Sequence, residues 1–137
     1  MKLFVESRLT KRSRVVTAVV NTGFRSSGPD LSIPLDLAQE LGLYPPPDGS
    51  FSIEARTAGG IVHLYAVPRA LLVKVVVEDR ETPSVEANAL VNPLDDEVLV
   101  SDHLAEDLGI QILYPRRGLW RFVDDDPNKV RESVKPD

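Results

Sequence analysis

The residues of this chain that could do chemistry are few. Cysteine is absent, and His63 and His103 are the only histidines. The first fact removes a thiolate nucleophile, a thiolate metal site and any disulfide. The second leaves too few ligands, at no metal-binding spacing, for a zinc site that needs three or four. Neither a metal nor a cofactor is therefore expected. His63 reads as a strand-face residue and His103 as an exposed residue of a helix's first turn. Acidic runs stand at Asp95-Asp96-Glu97 and Asp124-Asp125-Asp126. Neither has the spacing of a calcium loop. The first reads as a polar turn before a helix, the second as a solvated run. Lys11-Arg12-Ser13-Arg14 and Arg116-Arg117 read as solvated turn tips. Asp36 falls in a first helical turn, where the dipole favours a carboxylate; Asp30 closes a polar loop. There remains Asn21-Thr22-Gly23, directly after the apolar run Val15 to Val20. By itself this triplet is a turn signal. Its chemistry depends on what the neighbouring elements bring to it.

Those elements can be read from pattern. Residues 2–9 alternate enough for a strand, and Val15 to Val20 reads as a strand buried on both faces. Ser32-Ile33-Pro34 reads as the opening of a short helix whose apolar face is Leu35, Leu37, Ala38 and Leu41, with Gly42 as its stop. The proline run Pro45-Pro46-Pro47 is a stiff surface connection. Phe51 to Arg56 and Ile61 to Val67 are strands joined by Thr57-Ala58-Gly59-Gly60, a hairpin signal. Strands follow at Leu71 to Val77 and Val85 to Val91, and a brief one at Glu97 to Val100. Ser101 is a suitable N-cap for a helix from Asp102 to Leu108, ended by Gly109. Ile110 to Leu113 and Leu119 to Val123 form a last hairpin. Trp120 and Phe122 on it belong to a core or an interface.

The chain also echoes itself. Ala18-Val19-Val20-Asn21 returns as Ala89-Leu90-Val91-Asn92, and Leu37 to Leu43 returns as Leu104 to Ile110. The helix echo alone is weak, because leucine, alanine and acidic residues are common in helices. Both echoes in the same order predict one half-motif used twice about a local pseudo-twofold.

Composition bounds the rest. The 137 residues are 42% hydrophobic and 27% charged, with net charge −5. That is one domain, expected over 1–123, with an acidic and then mixed-charge flexible tail over 124–137. The negative balance argues against a nucleic-acid partner. No apolar run approaches the roughly 20 residues that span a bilayer, and the N-terminal stretch lacks a signal peptide's apolar segment. The expectation is a cytoplasmic protein with no membrane partner.

With the triplet, the hairpin and the stretch Leu99-Val100-Ser101-Asp102-His103-Leu104 in place, the chain resembles the retropepsin-like aspartic proteases. These are the single-lobe, dimeric branch of the pepsin clan, and the resemblance runs from about Val15 to Phe122. It implies a mostly β, closed sheet with two short helices, working as a homodimer. It implies catalysis by Asp-Thr-Gly loops that meet at the dimer dyad, where two carboxylates share one proton and activate a water. Thr22 then matches the threonine that bonds across to the partner loop, and Gly23 the glycine that lets the backbones approach. Thr57, Ala58, Gly59 and Gly60 match the flap over an extended peptide or an unfolded protein segment. The termini would form an intersubunit sheet containing Leu3-Phe4-Val5, Trp120 and Phe122.

The sequence departs from that pattern at three positions. Asn21 occupies the place of the catalytic aspartate, Phe24, also a candidate substrate contact, that of a small residue, and Ser101 that of a glycine. An amide neither takes water's proton nor shares one as an acid, so the chain as written is expected to be inactive. Asn21 fits either a native loss of catalysis or a deliberate exchange of Asp for Asn, and the intact Thr22-Gly23 points to an active parent or a recent loss. A dimer that captures peptide in the same cleft without cutting it is the alternative.

Overall fold

Strand β1 (Lys2–Ser7) carries the simplest pattern of the chain: Leu3, Val5 and Ser7 are buried, while Lys2, Phe4 and Glu6 face away. This period-two alternation marks the wall of a sheet with one covered face. The computed structural model describes residues 1–20 and 24–133, with the backbone alone at Thr57. After β1 come β2 (Ser13–Val20), β3 (Asp30–Pro34), helix α1 (Leu35–Glu40), β4 (Phe51–Thr57), β5 (Gly60–Val75), β6 (Val85–Asn92) and β7 (Val98–Val100). Helix α2 (Asp102–Asp107), β8 (Ile110–Tyr114), β9 (Leu119–Phe122) and β10 (Arg131–Glu132) complete the order.

The fold is mostly β. Strands β1-β2-β7-β3-β6-β5 hydrogen-bond in that order, and β5 returns to β1, so six strands close into a barrel. Closure removes the edges that would otherwise need protection. The interior is filled by alternating residues of every wall, among them Leu3, Val5, Ala18, Leu31, Ile33, Val73, Ala87, Ala89, Val91 and Val100. Several are alanines, which suits a narrow interior.

The pairing registers establish the internal twofold. Ala18, Val19 and Val20 of β2 lie parallel to Val98, Leu99 and Val100 of β7. Their echoes Ala89, Leu90 and Val91 of β6 lie parallel to Leu31, Ser32 and Ile33 of β3. Exchanging β1 with β5, β2 with β6, β3 with β7 and α1 with α2 therefore maps the barrel onto itself. Strands β3 and β7 cross antiparallel beside the axis.

Three expectations are corrected. Val15 to Val20 is not buried on both faces: Ala18 alone is fully buried, and Val15 is 58% exposed. A barrel wall points alternate residues outward, and β-branched residues suit either face. Ser32-Ile33-Pro34 is not helical but ends the buried strand β3; Pro34 has extended backbone and α1 begins at Leu35. Strand β1 is paired on both sides within its own chain, so Leu3-Phe4-Val5 has no edge left for an intersubunit sheet.

The described residues after Phe122, 123–133, are held by strand pairing and ion pairs. Strand β10 pairs with β9, and β10-β9-β8 form a second sheet. Arg131 reaches Asp125 at 2.9 Å and Asp79 at 2.7 Å, and Arg80 reaches Asp124 at 2.8 Å. Both guanidinium groups lie over the Phe122 ring. Trp120 and Phe122 are buried and meet edge to face at 5.1 Å.

Candidate functional site

Asn21, Thr22 and Gly23 lie outside the described residues. The chain on either side of them is described, and both sides dock on one place. Val20, the last residue of β2, pairs with Val100 at the end of β7. Phe24, half-buried, accepts a hydrogen bond at its carbonyl from the Asp102 N–H at 2.9 Å. Three residues thus connect two points held by the consecutive segment Val100 to Asp102.

That segment is the start of α2, and its polar groups tie it to the chain on both sides. Ser101 is fully buried, and its Oγ accepts from the N–H of Leu104 at 3.1 Å. This is the N-cap expected from sequence. The same oxygen also accepts from the N–H of Asp30 at 3.1 Å, and the Ser101 N–H donates to the Asp30 carbonyl at 3.1 Å. A glycine could not supply that hydroxyl. Asp102 Oδ1 accepts from its neighbour's N–H, that of His103, at 2.8 Å and from the Ser26 N–H at 3.1 Å. Ser101 and Asp102 therefore hold the whole stretch from Phe24 to Asp30 against the barrel. A buried polar group is tolerated only with such partners.

The hairpin lies where its glycines predicted. Thr57 pairs with Gly60 across the two-residue turn Ala58-Gly59, and Gly60 has a φ of +116° with open space about it. The flanking pairs sort by chemistry. Phe51–Ala66, Ile53–Leu64 and Ala55–Val62 alternate with Ser52–Tyr65, Glu54–His63 and Arg56–Ile61. Strand alternation puts the first set on one face and the second on the other. Phe51 is 54% exposed, although its face is apolar. The root of the hairpin is fixed by Tyr65, whose hydroxyl donates to the Leu43 carbonyl at 2.8 Å. Burial, with the neighbouring Tyr44, pushes the Tyr65 phenol up to about 12, so it remains a donor at all ordinary pH.

The remaining candidates take structural places, but the Asp125 side chain is buried against Arg131 and Arg80 rather than solvated, and His103 is half-buried rather than exposed. His63 is exposed and 3.9 Å from Glu54; His103 lies 3.2 Å from Asp107 along α2. Asp36 Oδ1 accepts from the Leu37 N–H at the start of α1. Among the described residues no group of three or more His, Asp or Glu is placed to hold a metal ion. No described helix is long and apolar enough to cross a membrane.

Sequence reasoning missed Asn88, which joins Asp30 to β5. One signal was available: asparagine is depleted in strands, yet Asn88 sits in the middle of β6. The Asp30–Ser101 exchange carried no signal beyond the cap itself. No protein-family model and no curated protein matches this chain.

Proposed function

We propose that the chain is a cytoplasmic, retropepsin-like homodimer that holds an extended peptide between the β4–β5 hairpin and a floor formed by the two copies of Asn21-Thr22-Gly23. One observation carries this reading. The residues flanking the triplet both dock on the β7–α2 junction of a closed barrel with an internal twofold, and a glycine-containing hairpin projects from the same barrel. The hairpin's apolar face suits a peptide's side chains, and backbone hydrogen bonds would hold the peptide as an added strand.

In the form with aspartate at this position, one carboxylate takes a proton from water and the resulting hydroxide attacks the peptide carbonyl carbon. The other carboxyl gives its proton to the carbonyl oxygen. Collapse of the tetrahedral intermediate then releases amine and acid. With Asn21 the base is missing, and the same cleft captures peptide without hydrolysing it. The amide at this position favours that second reading for the chain as written.

The test is Asn21→Asp, assayed on unfolded protein and a peptide library at acid and neutral pH, with and without a peptide inhibitor resembling the transition state. Cleavage seen only in the variant and blocked by the inhibitor supports the protease parent. Retained peptide affinity without cleavage in either form supports the binding module. Neither affinity nor cleavage overturns both.

A further inference from the structure

Asn88 faces outward from β6, between the buried Ala87 and Ala89, and its amide oxygen and nitrogen each bond to another element. Its Oδ1 accepts from the Arg69 N–H at 2.9 Å, and its Nδ2 donates to Asp30 Oδ1 at 2.9 Å. A backbone N–H can only donate and a carboxylate only accept, so the two partners fix the amide's orientation. The Asn88 backbone N–H adds a bond to the Pro29 carbonyl at 2.8 Å. A Cβ at Gly28 would come within 3.2 Å of Nδ2, so the loop residue beside it is one with no side chain.

Each partner leads somewhere. Arg69 sits where β5 changes register between Val67 and Leu71, leaving the neighbourhood of β4 for that of β1. It has a φ of +55°, uphill for a residue with a Cβ. Its conformation is held by Asn88 at the N–H, by Arg8 Nη1 at the carbonyl (2.9 Å) and by Glu86 at the guanidinium. This is the root of the hairpin. Asp30, at the other end, exchanges two bonds with Ser101, and the next residue, Asp102, holds Phe24 and Ser26. Hydrogen bonds, continued through the Ser101–Asp102 peptide link, run from the base of the hairpin to the residues beside Asn21-Thr22-Gly23.

We propose that Asn88 and Asp30 are positioning residues that set the hairpin's root and the segment 24–30 together, so that neither moves without the other. The use of this coupling in peptide capture rests on the function proposed above; the coupling itself does not. Neither residue need touch a peptide.

Amide hydrogen exchange on the full chain without peptide tests it. Asn88→Ala is expected to raise exchange about tenfold at Arg69, which loses its acceptor. It should also raise exchange several-fold at Ser26 and Asp102, to which Asn88 is not bonded, and leave Val5 and Val73 unchanged. The double exchange Asp30→Asn with Asn88→Asp reverses the donor and acceptor between the two side chains and keeps an acceptor for Arg69. It is expected to restore protection at all three amides, which removal of a merely structural side chain would not predict. Increased exchange confined to Arg69 overturns the proposal. So does a folded double variant in which Ser26 and Asp102 remain unprotected. If Asn88→Ala does not fold, the double variant decides alone. Loss of peptide affinity in the parent chain would overturn the proposed function and leave these exchange results standing.

Discussion

Gly42 and Gly109 end the two helices in the same left-handed conformation, with φ of +74° and +75°. They are counterparts under the barrel's internal twofold, yet they stand in different surroundings. A Cβ on Gly42 would lie 2.6 Å from Thr10 Cγ2, whereas one on Gly109 would meet nothing nearer than Val123 at 3.8 Å. Thr10 cannot easily withdraw, because its Oγ1 donates to the Leu41 carbonyl at 2.6 Å.

Alanine at the two positions should separate conformation from contact. Gly109→Ala meets only the left-handed penalty, about 1–2 kcal/mol. Gly42→Ala adds a clash in a packed site, about 1–3 kcal/mol more. Urea unfolding of both variants should therefore show the larger loss at Gly42 with unchanged slopes. Equal losses would mean that the loop carrying Thr10 yields freely.

The carboxyl-terminal network gives a pH signature. Arg131 holds the Asp125 carboxylate well below its ordinary range, against a smaller opposing effect of burial, and the Phe122 N–H and Arg80 add to the lowering. Arg131 and Lys129 do the same for Asp79. A carboxylate whose folded-state pKa is depressed stabilises above its unfolded value, about 4, and loses that contribution as pH falls towards the folded value. Asp125→Asn should therefore weaken the fold at neutral pH. The gap between parent and variant should narrow as pH falls below about 4, read by denaturant titrations at several pH values. A gap independent of pH would assign the loss to packing instead.

What could be read from sequence follows what each signal depends on. Ser101, the two helix-stop glycines and the Ala58-Gly59 turn were legible because caps and turns depend on a few adjacent residues. The twofold was legible as an echo, since Ala18-Val19-Val20 and Ala89-Leu90-Val91 occupy matching registers. Burial of Val15 was misjudged because composition does not say which face of a strand is covered. Strand β3 was missed because Ser32-Ile33-Pro34 resembles a helix entry until its partners in β6 and β7 are known. The bonds of Asn88 and Asp30, and those of Arg131 with Asp79 and Asp125, join residues far apart in the chain. No local pattern announces them.

Residue 21 supplies the last test, because the proposed dyad brings its two copies together. With aspartate there, the dimer would hold two carboxylates that cannot both ionise cheaply, so one pKa is raised on association. A raised pKa stabilises below the unassociated value and loses that contribution as pH climbs through the raised one. The Asp form should therefore dissociate more readily as pH rises from acid to neutral, up to about tenfold in dissociation constant per pH unit for one proton. Asn21 carries no charge to repel and should leave the dimer's dissociation constant flat across that interval. Sedimentation of the parent chain and Asn21→Asp over a pH series distinguishes the two. Parallel pH dependence in both forms would mean that residue 21 is not at the dyad, and a chain monomeric at high concentration in both forms would remove the dyad altogether.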